Sequence, residues 1–292
     1  MALRSMTGFG AAEGAVAGGR LRLEVRTVNH RHLSVQLRLP GELSALEADL
    51  RERLRAHMER GHVSVGARWA EEPPQAAGVR VDVERAGALV AALRDVGKTL
   101  GLKGDVDLAT VARLPDVVKV VHEEATVDPA AVLGILDAAA AACVKMRERE
   151  GSALVADLLE RLRRLSGFAA TIAARAPARV TAERDRLAAA VKELAGGVAV
   201  DPNRLAQEVA FLADRLDITE ELVRFRTHVS AMEAALGDGT SAVGKQLGFL
   251  LQELGREANT VGSKANDAAI AETVIAIKGE LEKIREQIEN LE

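Results

Sequence analysis

Arg20-Leu21-Arg22-Leu23-Glu24-Val25-Arg26-Thr27-Val28 alternates strictly. Leu21, Leu23, Val25 and Thr27 fall on one side, and Arg20, Arg22, Glu24 and Arg26 on the other. A period of two with one polar face predicts a half-buried strand. Two more stretches repeat the pattern. Leu33, Val35, Leu37 and Leu39 alternate with Ser34, Gln36 and Arg38, and Val63, Val65, Ala67 and Trp69 alternate with His62, Ser64 and Arg68. One-sided sheets of this kind are usually antiparallel. Between them Leu43, Leu46, Leu50 and Leu54 recur at helical spacing and run out near Arg60-Gly61, a candidate glycine C-cap. Val79 to Val83, after Pro73-Pro74, reads as a further short strand. The first third is therefore expected to be a sheet with a helix covering its apolar face.

From residue 84 the pattern turns helical, with a weak loop around Gly101 to Asp107. Residues 129–195 are rich in Ala, Leu, Arg and Glu, and Leu154, Leu158, Leu162 and Leu165 mark a long amphipathic helix interrupted only near Pro177. Such a segment suits an arm used for packing or self-association. Gly196-Gly197 and Asp201-Pro202 then break the chain and start the last helices. The fold class is α+β: an N-terminal antiparallel sheet with covering helix, a long helical arm, and an all-α C-terminal part. The expected divisions are 1–125, 126–200 and 201–292.

Composition bounds the function. The chain has 292 residues, enough for two domains with real cores. Aromatic residues make up 2% and Tyr is absent, so the cores must be Leu, Val and Ala. One Cys excludes an internal disulfide and fits a reducing compartment. No uninterrupted apolar run approaches the ~20 residues that span a bilayer, and the N-terminus carries no apolar signal region. A cytoplasmic protein without a membrane partner is expected. Net charge is −4 but divided unevenly. Residues 1–68 hold 11 Lys/Arg against 7 Asp/Glu, while residues 201–292 hold 10 against 17. The first part suits a polyanion and the last suits cations. Arg20, Arg22, Arg26, Arg38 and Arg68 share the polar sheet face. With no aromatics alternating among them, they point to phosphate contact rather than base reading, or else to an ordinary solvated face.

Leu222, Phe225, Val229, Met232 and Leu236 stripe one C-terminal helix, and Val243, Leu247, Leu250, Leu254 and Val261 stripe the next. The link from Gly237 to Ala242 is short, which predicts antiparallel neighbours. Glu221, Arg224 and His228 flank the first stripe, and Glu253 and Glu257 flank the second in the same rotational sense. The two polar rows then share one edge of the hairpin at matching heights. Glu221, His228, Glu253 and Glu257 are the candidate metal and catalytic residues. Oxygen-rich ligands with one imidazole suit Mn²⁺ or Mg²⁺ better than Zn²⁺. The competing reading is a surface salt-bridge ladder of Glu253 and Glu257 with Arg256 or Lys264.

Several strings carry a family resemblance. They are Arg4-Ser5-Met6-Thr7-Gly8-Phe9-Gly10, Val28-Asn29-His30-Arg31, Leu39-Pro40, Asp214-Arg215-Leu216-Asp217-Ile218 and Phe249-Leu250-Leu251-Gln252-Glu253. Arg256-Glu257, Asn259-Thr260-Val261-Gly262-Ser263-Lys264 and Glu282-Lys283-Ile284-Arg285-Glu286-Gln287 complete the set. Together they resemble the YicC/YloC family, which implies a metal-dependent endoribonuclease acting on small RNAs and assembled as a homohexamer. It also implies RNA contacts at Arg4, Arg26, Asn29, His30, Arg31 and Lys264, beside those of Arg20 and Arg22 on the sheet face. Gly248 and Gly255 depart from the family pattern, where an acidic residue and Asn are more usual. His32 and Ser34 replace a more usual aromatic and Asp. Either a metal-activated water or His228 or His30 acting as base on a ribose 2′-OH could cut RNA. The rivals are a non-catalytic RNA-binding adaptor that presents RNA to another nuclease, and a structural helical assembly protein.

Overall fold

The computed structural model describes every residue except 1–2, 75, 103, 105, 124–125, 195, 197–200 and 239–242. Four strands form one sheet: β1 (Gly8–Val16), β2 (Gly19–Val28), β3 (Ser34–Arg38) and β4 (His62–Glu71), in the order β1-β2-β4-β3. Leu21, Leu23, Val25, Thr27, Val63 and Val65 are buried, as the alternation requires. The pairs β1–β2 and β2–β4 are antiparallel, but β3 runs parallel to β4. That departure has a topological cause. The chain leaves β3 through a 3-10 turn (Gly41–Leu46) and helix α1 (Glu47–Arg55), and such a helical crossover returns a strand in the same direction. Helix α1 ends at Arg55. Gly61, with φ of +107°, turns the chain into β4 rather than capping the helix.

Strand β1 carried no alternation signal because its inward residues are small. Helix α4 (Pro129–Leu194) lies directly on it. A Cβ on Gly10 would stand 2.2 Å from the Ala139 carbonyl oxygen and 2.4 Å from the Cys143 nitrogen, and one on Gly8 2.5 Å from Arg147 Cγ. The glycines of the Met6-to-Gly10 string are thus set by a close helix–strand approach. Val132, Ile135, Leu136, Ala139 and Cys143 of α4 close one core with β2, β4, α1 and the 3-10 turn. Length and composition alone would let α4 pass for a membrane span. Its apolar face is instead covered by the sheet, and Asp137 in its first third is paired with Arg53 and His57 of the α1 region.

Between β4 and α4 lies a small module. Strands β5 (Ala76–Val81) and β6 (Val118–Glu123) pair antiparallel around helices α2 (Val83–Leu100) and α3 (Leu108–Ala112). Neither helix has a buried residue. Further along, α4 continues without a break through exposed Pro177, where an interruption was expected. Leu158, Leu162, Leu165, Ala169 and Ile172 enter the second core. The arm is therefore a shared spine whose first third belongs to the sheet and whose middle belongs to the C-terminal helices. These are α5 (Pro202–Leu216), capped by Asp201, then α6 (Thr219–Asp238), α7 (Val243–Lys264) and α8 (Ala268–Ile288). All ten residues of the two sequence stripes on α6 and α7 are buried there. The expected divisions at 125/126 and 200/201, and most of the Gly237–Ala242 link, lie outside the described residues.

The ends of the chain meet. Arg4 and Glu292 exchange backbone hydrogen bonds of 2.6 and 2.7 Å, and Met6 N donates to the Asn290 carbonyl at 2.8 Å. Buried Arg147 of α4 secures this seam by donating to the Ser5 carbonyl at 2.6 Å and ion-pairing with Glu292. The N-terminal string thereby links the sheet to the C-terminal helices.

Candidate active site

Helices α6 and α7 are antiparallel, as their side-chain pairs prove. Glu221 meets Lys264, Arg224 meets Glu257, and His228 meets Glu253, so position rises on one helix as it falls on the other. Three of the four expected ligands converge. One ligand atom from each of His228, Glu253 and Glu257 lies within 4.8 Å of the others. Glu257 is buried, while His228 and Glu253 are half-buried. Mg²⁺ holds oxygen or nitrogen ligands at ~2.1 Å in octahedral geometry, so adjacent ligands on one face stand ~3 Å apart. The three atoms lie within 4.8 Å of one another and would draw together by side-chain rotation to hold such an ion. Two carboxylates and one imidazole on one face leave further coordination positions for water or substrate oxygens, which fits a catalytic rather than a structural cation.

Arg224 counterbalances this acidity. Its Nε donates to Glu257 at 3.1 Å and its Nη1 to Glu220 at 2.6 Å. Arg256 stands 3.9 Å from Glu253. His228 has no hydrogen-bond partner among the described residues, so its ring nitrogens remain free to bind a cation or carry a proton.

Glu221 does not join the three. It is buried beside Lys264, whose ammonium donates to it at 2.8 Å and to the Asp217 carbonyl at 2.9 Å. Burial pulls the Glu221 carboxyl upward, but Lys264 and Arg224 outweigh it and hold it below the ordinary carboxylate value. The equal-height argument set Glu221 level with Glu257, but Arg224 meets Glu257 and Glu221 lies further from the turn, beside Lys264. It could not show that a lysine from the end of α7 would fold back onto it. Lys264 is in turn occupied inside the protein.

The expected RNA contacts fall into two groups. Arg4 is spent on Glu148, at 3.1 Å through Nε and 2.7 Å through Nη2. The sheet face holds Arg20, Arg22, Arg26, Arg38 and Arg68, of which Arg38 has no ion-pair partner among the described residues, and Glu13 and Glu24 stand among the rest. Glu13 pairs with Arg20 and Arg22, and Glu24 with Arg22, Arg26 and Arg68. Burial raises the Glu24 carboxyl, yet these guanidiniums keep it below the usual range. The face remains cationic by count, and Arg26 lies 5.2 Å over the exposed Phe9 ring. In the loop after β2, Asn29 donates to the Glu289 carbonyl at 2.7 Å. His30 Nδ1 lies 2.7 Å from the His32 carbonyl oxygen and 3.3 Å from the His32 backbone nitrogen, which ties the ring to its own loop. Arg31 is exposed and has no ion-pair partner among the described residues.

Fold and site together define an α+β protein of two halves joined by one helix, with two carboxylates and an imidazole in the helical half that could hold a cation. Each half has its own match among known families. Residues 3–156 match the N-terminal region, and residues 172–292 the C-terminal part, described as endoribonuclease YicC-like. The chain belongs to this YicC-like family. It is 34% identical over 293 residues to the probable endoribonuclease YicC of Clostridioides difficile, and 33% identical over 288 residues to the protein of that name from Haemophilus influenzae. Each alignment covers 99% of both chains. Gly248 and Gly255 are not demanded by packing, since a Cβ at either would meet nothing within 4 Å.

Proposed function

We propose that the chain is a metal-dependent endoribonuclease that cleaves phosphodiester bonds in small or structured RNA. The observation that carries this reading is the triangle of His228, Glu253 and Glu257, with ligand atoms within 4.8 Å of one another, in a relative of proteins named as probable endoribonucleases. The two carboxylates and the imidazole would hold Mn²⁺ or Mg²⁺. Such an ion, when bound, lowers the pKa of coordinated water and offsets charge on a phosphoryl oxygen. Arg224 pairs with Glu257 at 3.1 Å and orients it, and Arg256 stands more loosely, 3.9 Å from Glu253. Lys264 and Glu221 fix the end of the hairpin, so the triangle is set on rigid helices. The cationic sheet face, with Arg20 and Arg26 exposed and Arg22 half-buried among their glutamates, would attract the RNA backbone.

A labelled hairpin RNA incubated with the protein in EDTA, and then with added Mn²⁺, tests the reading. Cleavage that requires the cation and leaves 5′-phosphate ends supports it. Cyclic phosphate ends formed equally in EDTA would transfer the chemistry to a histidine acting on the 2′-OH. Binding with no cleavage at any cation concentration would make the protein an adaptor.

A further inference from the structure

A cleft of about 850 Å³ lies between the sheet half and the helical half. The loop after β2 supplies Asn29 and Arg31 to it, and the turn before β4 supplies Arg60. The first turn of α7 supplies Gly244 and Lys245, its next turns Gly248 and Gln252, and the last turn of α8 supplies Arg285. Four cationic side chains therefore face one space. Arg31, Arg60 and Lys245 have no ion-pair partner among the described residues, and Arg285 has only Glu282 at 3.6 Å. On the sheet face, by contrast, Arg20, Arg22, Arg26 and Arg68 all have a glutamate nearby. The acids of the cleft are Glu289 and Glu292, and Glu292 is already bound by Arg147.

Two further observations indicate that an anion belongs here. Arg60 Nε is buried and has no acceptor, and its Nη2 contacts only the Met6 sulfur at 3.2 Å. A buried unpaired donor costs roughly 1–3 kcal/mol, which an acceptor bound in the cleft would recover. The positive end of the α7 dipole also opens on the cleft, because Gly244 and Lys245 lie in its first turn, where backbone N–H groups lack intrahelical partners.

We propose that this cleft is a phosphate-binding subsite that grips the backbone of an RNA strand beside the cation triangle. Arg31, Arg60, Lys245 and Arg285 serve as its phosphate contacts. The inference rests on the reading that the protein acts on RNA. Its position follows from α7 alone. Gly248 and Gln252 lie one turn apart on the cleft side, and Glu253 and Glu257 lie one turn apart on the triangle side, five residues on and about 140° around the helix. At the ~5–6 Å radius of a helix with side chains, that angle separates the rows by roughly 9–11 Å, with about 7.5 Å more along the axis. A strand of a few nucleotides that curves around α7 is long enough to reach both. The volume exceeds what a single phosphate needs and suits a short run of backbone.

The test is binding of a fluorescent single-stranded RNA to the full-length protein in EDTA, where cleavage is suppressed, over a range of KCl. The variant combines Lys245→Ala with Arg285→Ala, both exposed and outside either core. The control combines Arg163→Ala of α4 with Lys98→Ala of α2, both exposed and on helices that do not line the cleft. Loss of two phosphate contacts should flatten the salt slope by about 1.4 and weaken low-salt affinity by about tenfold, with the control near wild type. An unchanged slope, or an equal fall in the control, overturns the proposal. Displacement of the RNA by micromolar AMP would make the cleft a nucleotide site and overturn the strand reading. Wild-type protein that binds RNA through the cleft yet never cuts it refutes the nuclease reading alone. Wild-type protein that binds no RNA refutes both.

Discussion

Replacing Glu253 by Gln should stabilise the protein in the absence of a cation. Glu253 and Glu257 present carboxylate oxygens within 4.8 Å of each other. Two full charges at that distance repel by about 1 kcal/mol in a water-like dielectric and by about 3.5 kcal/mol at an effective dielectric of 20. Arg224, 3.1 Å from Glu257, cancels much of this, whereas Arg256, 3.9 Å from Glu253 and largely exposed, cancels little. A net gain of about 0.5–1 kcal/mol remains, which corresponds to a rise in Tm of about 1–4 °C. With Mn²⁺ the order reverses. Wild type gains binding free energy, about 2.7 kcal/mol at a cation concentration a hundred times Kd, and the variant gains much less because it has lost a charged ligand. The assay is differential scanning fluorimetry of both proteins in EDTA and in millimolar Mn²⁺, with RNA cleavage measured on the same samples. A salt-bridge ladder makes the opposite prediction. If Glu253→Gln melts below wild type in EDTA and shows the same Mn²⁺ shift, the carboxylate is structural and the cation reading fails.

Gly10→Ala should lower stability by at least ~3 kcal/mol, because its Cβ meets helix α4 backbone at 2.2 Å; Gly66→Ala, with nothing within 4 Å, should be near neutral in the same urea titration. Gly255→Ala, also in open space within α7, should raise stability by up to ~1 kcal/mol, and an unchanged urea midpoint would mean the helix gains nothing there. Asp137 is held at about 2, below its usual 3.8, chiefly by the Arg53 guanidinium, with burial opposing and His57 assisting. A lowered folded pKa stabilises above the unfolded value, so Asp137→Asn should cost about 1 kcal/mol from pH 5 to 7, with the gap closing as pH falls from about 4 to 2. A gap that persists at pH 2 would refute the ion-pair account. Light scattering should give a multiple of 31.0 kDa, because α2 leaves Leu93, Val96 and Leu100 exposed with none of its residues buried, and six copies are what the family resemblance implies; the monomer mass at micromolar protein would refute this.

The periodicities of this chain determined its elements wherever one face had to be apolar. Strands β2, β3 and β4 and the stripes of α6 and α7 were legible for that reason, since every residue of a repeat faces the same environment. Strand β1 was not legible. Its glycines answer to a helix more than a hundred residues away, and small residues leave no hydrophobic period. The parallel pairing of β3 was hidden as well, because alternation fixes which face is buried but not the direction of the neighbour. In the site, helical spacing brought His228, Glu253 and Glu257 to one edge, since positions along two antiparallel helices follow from residue numbers. Tertiary structure alone decided the pairings across elements. Lys264 returns to neutralise Glu221, Glu13 and Glu24 temper the arginine face, and Arg31, Arg60, Lys245 and Arg285 meet from four separate segments. Local sequence carries the period of a face. Only the packed chain decides which charges find partners and which are left facing a cleft.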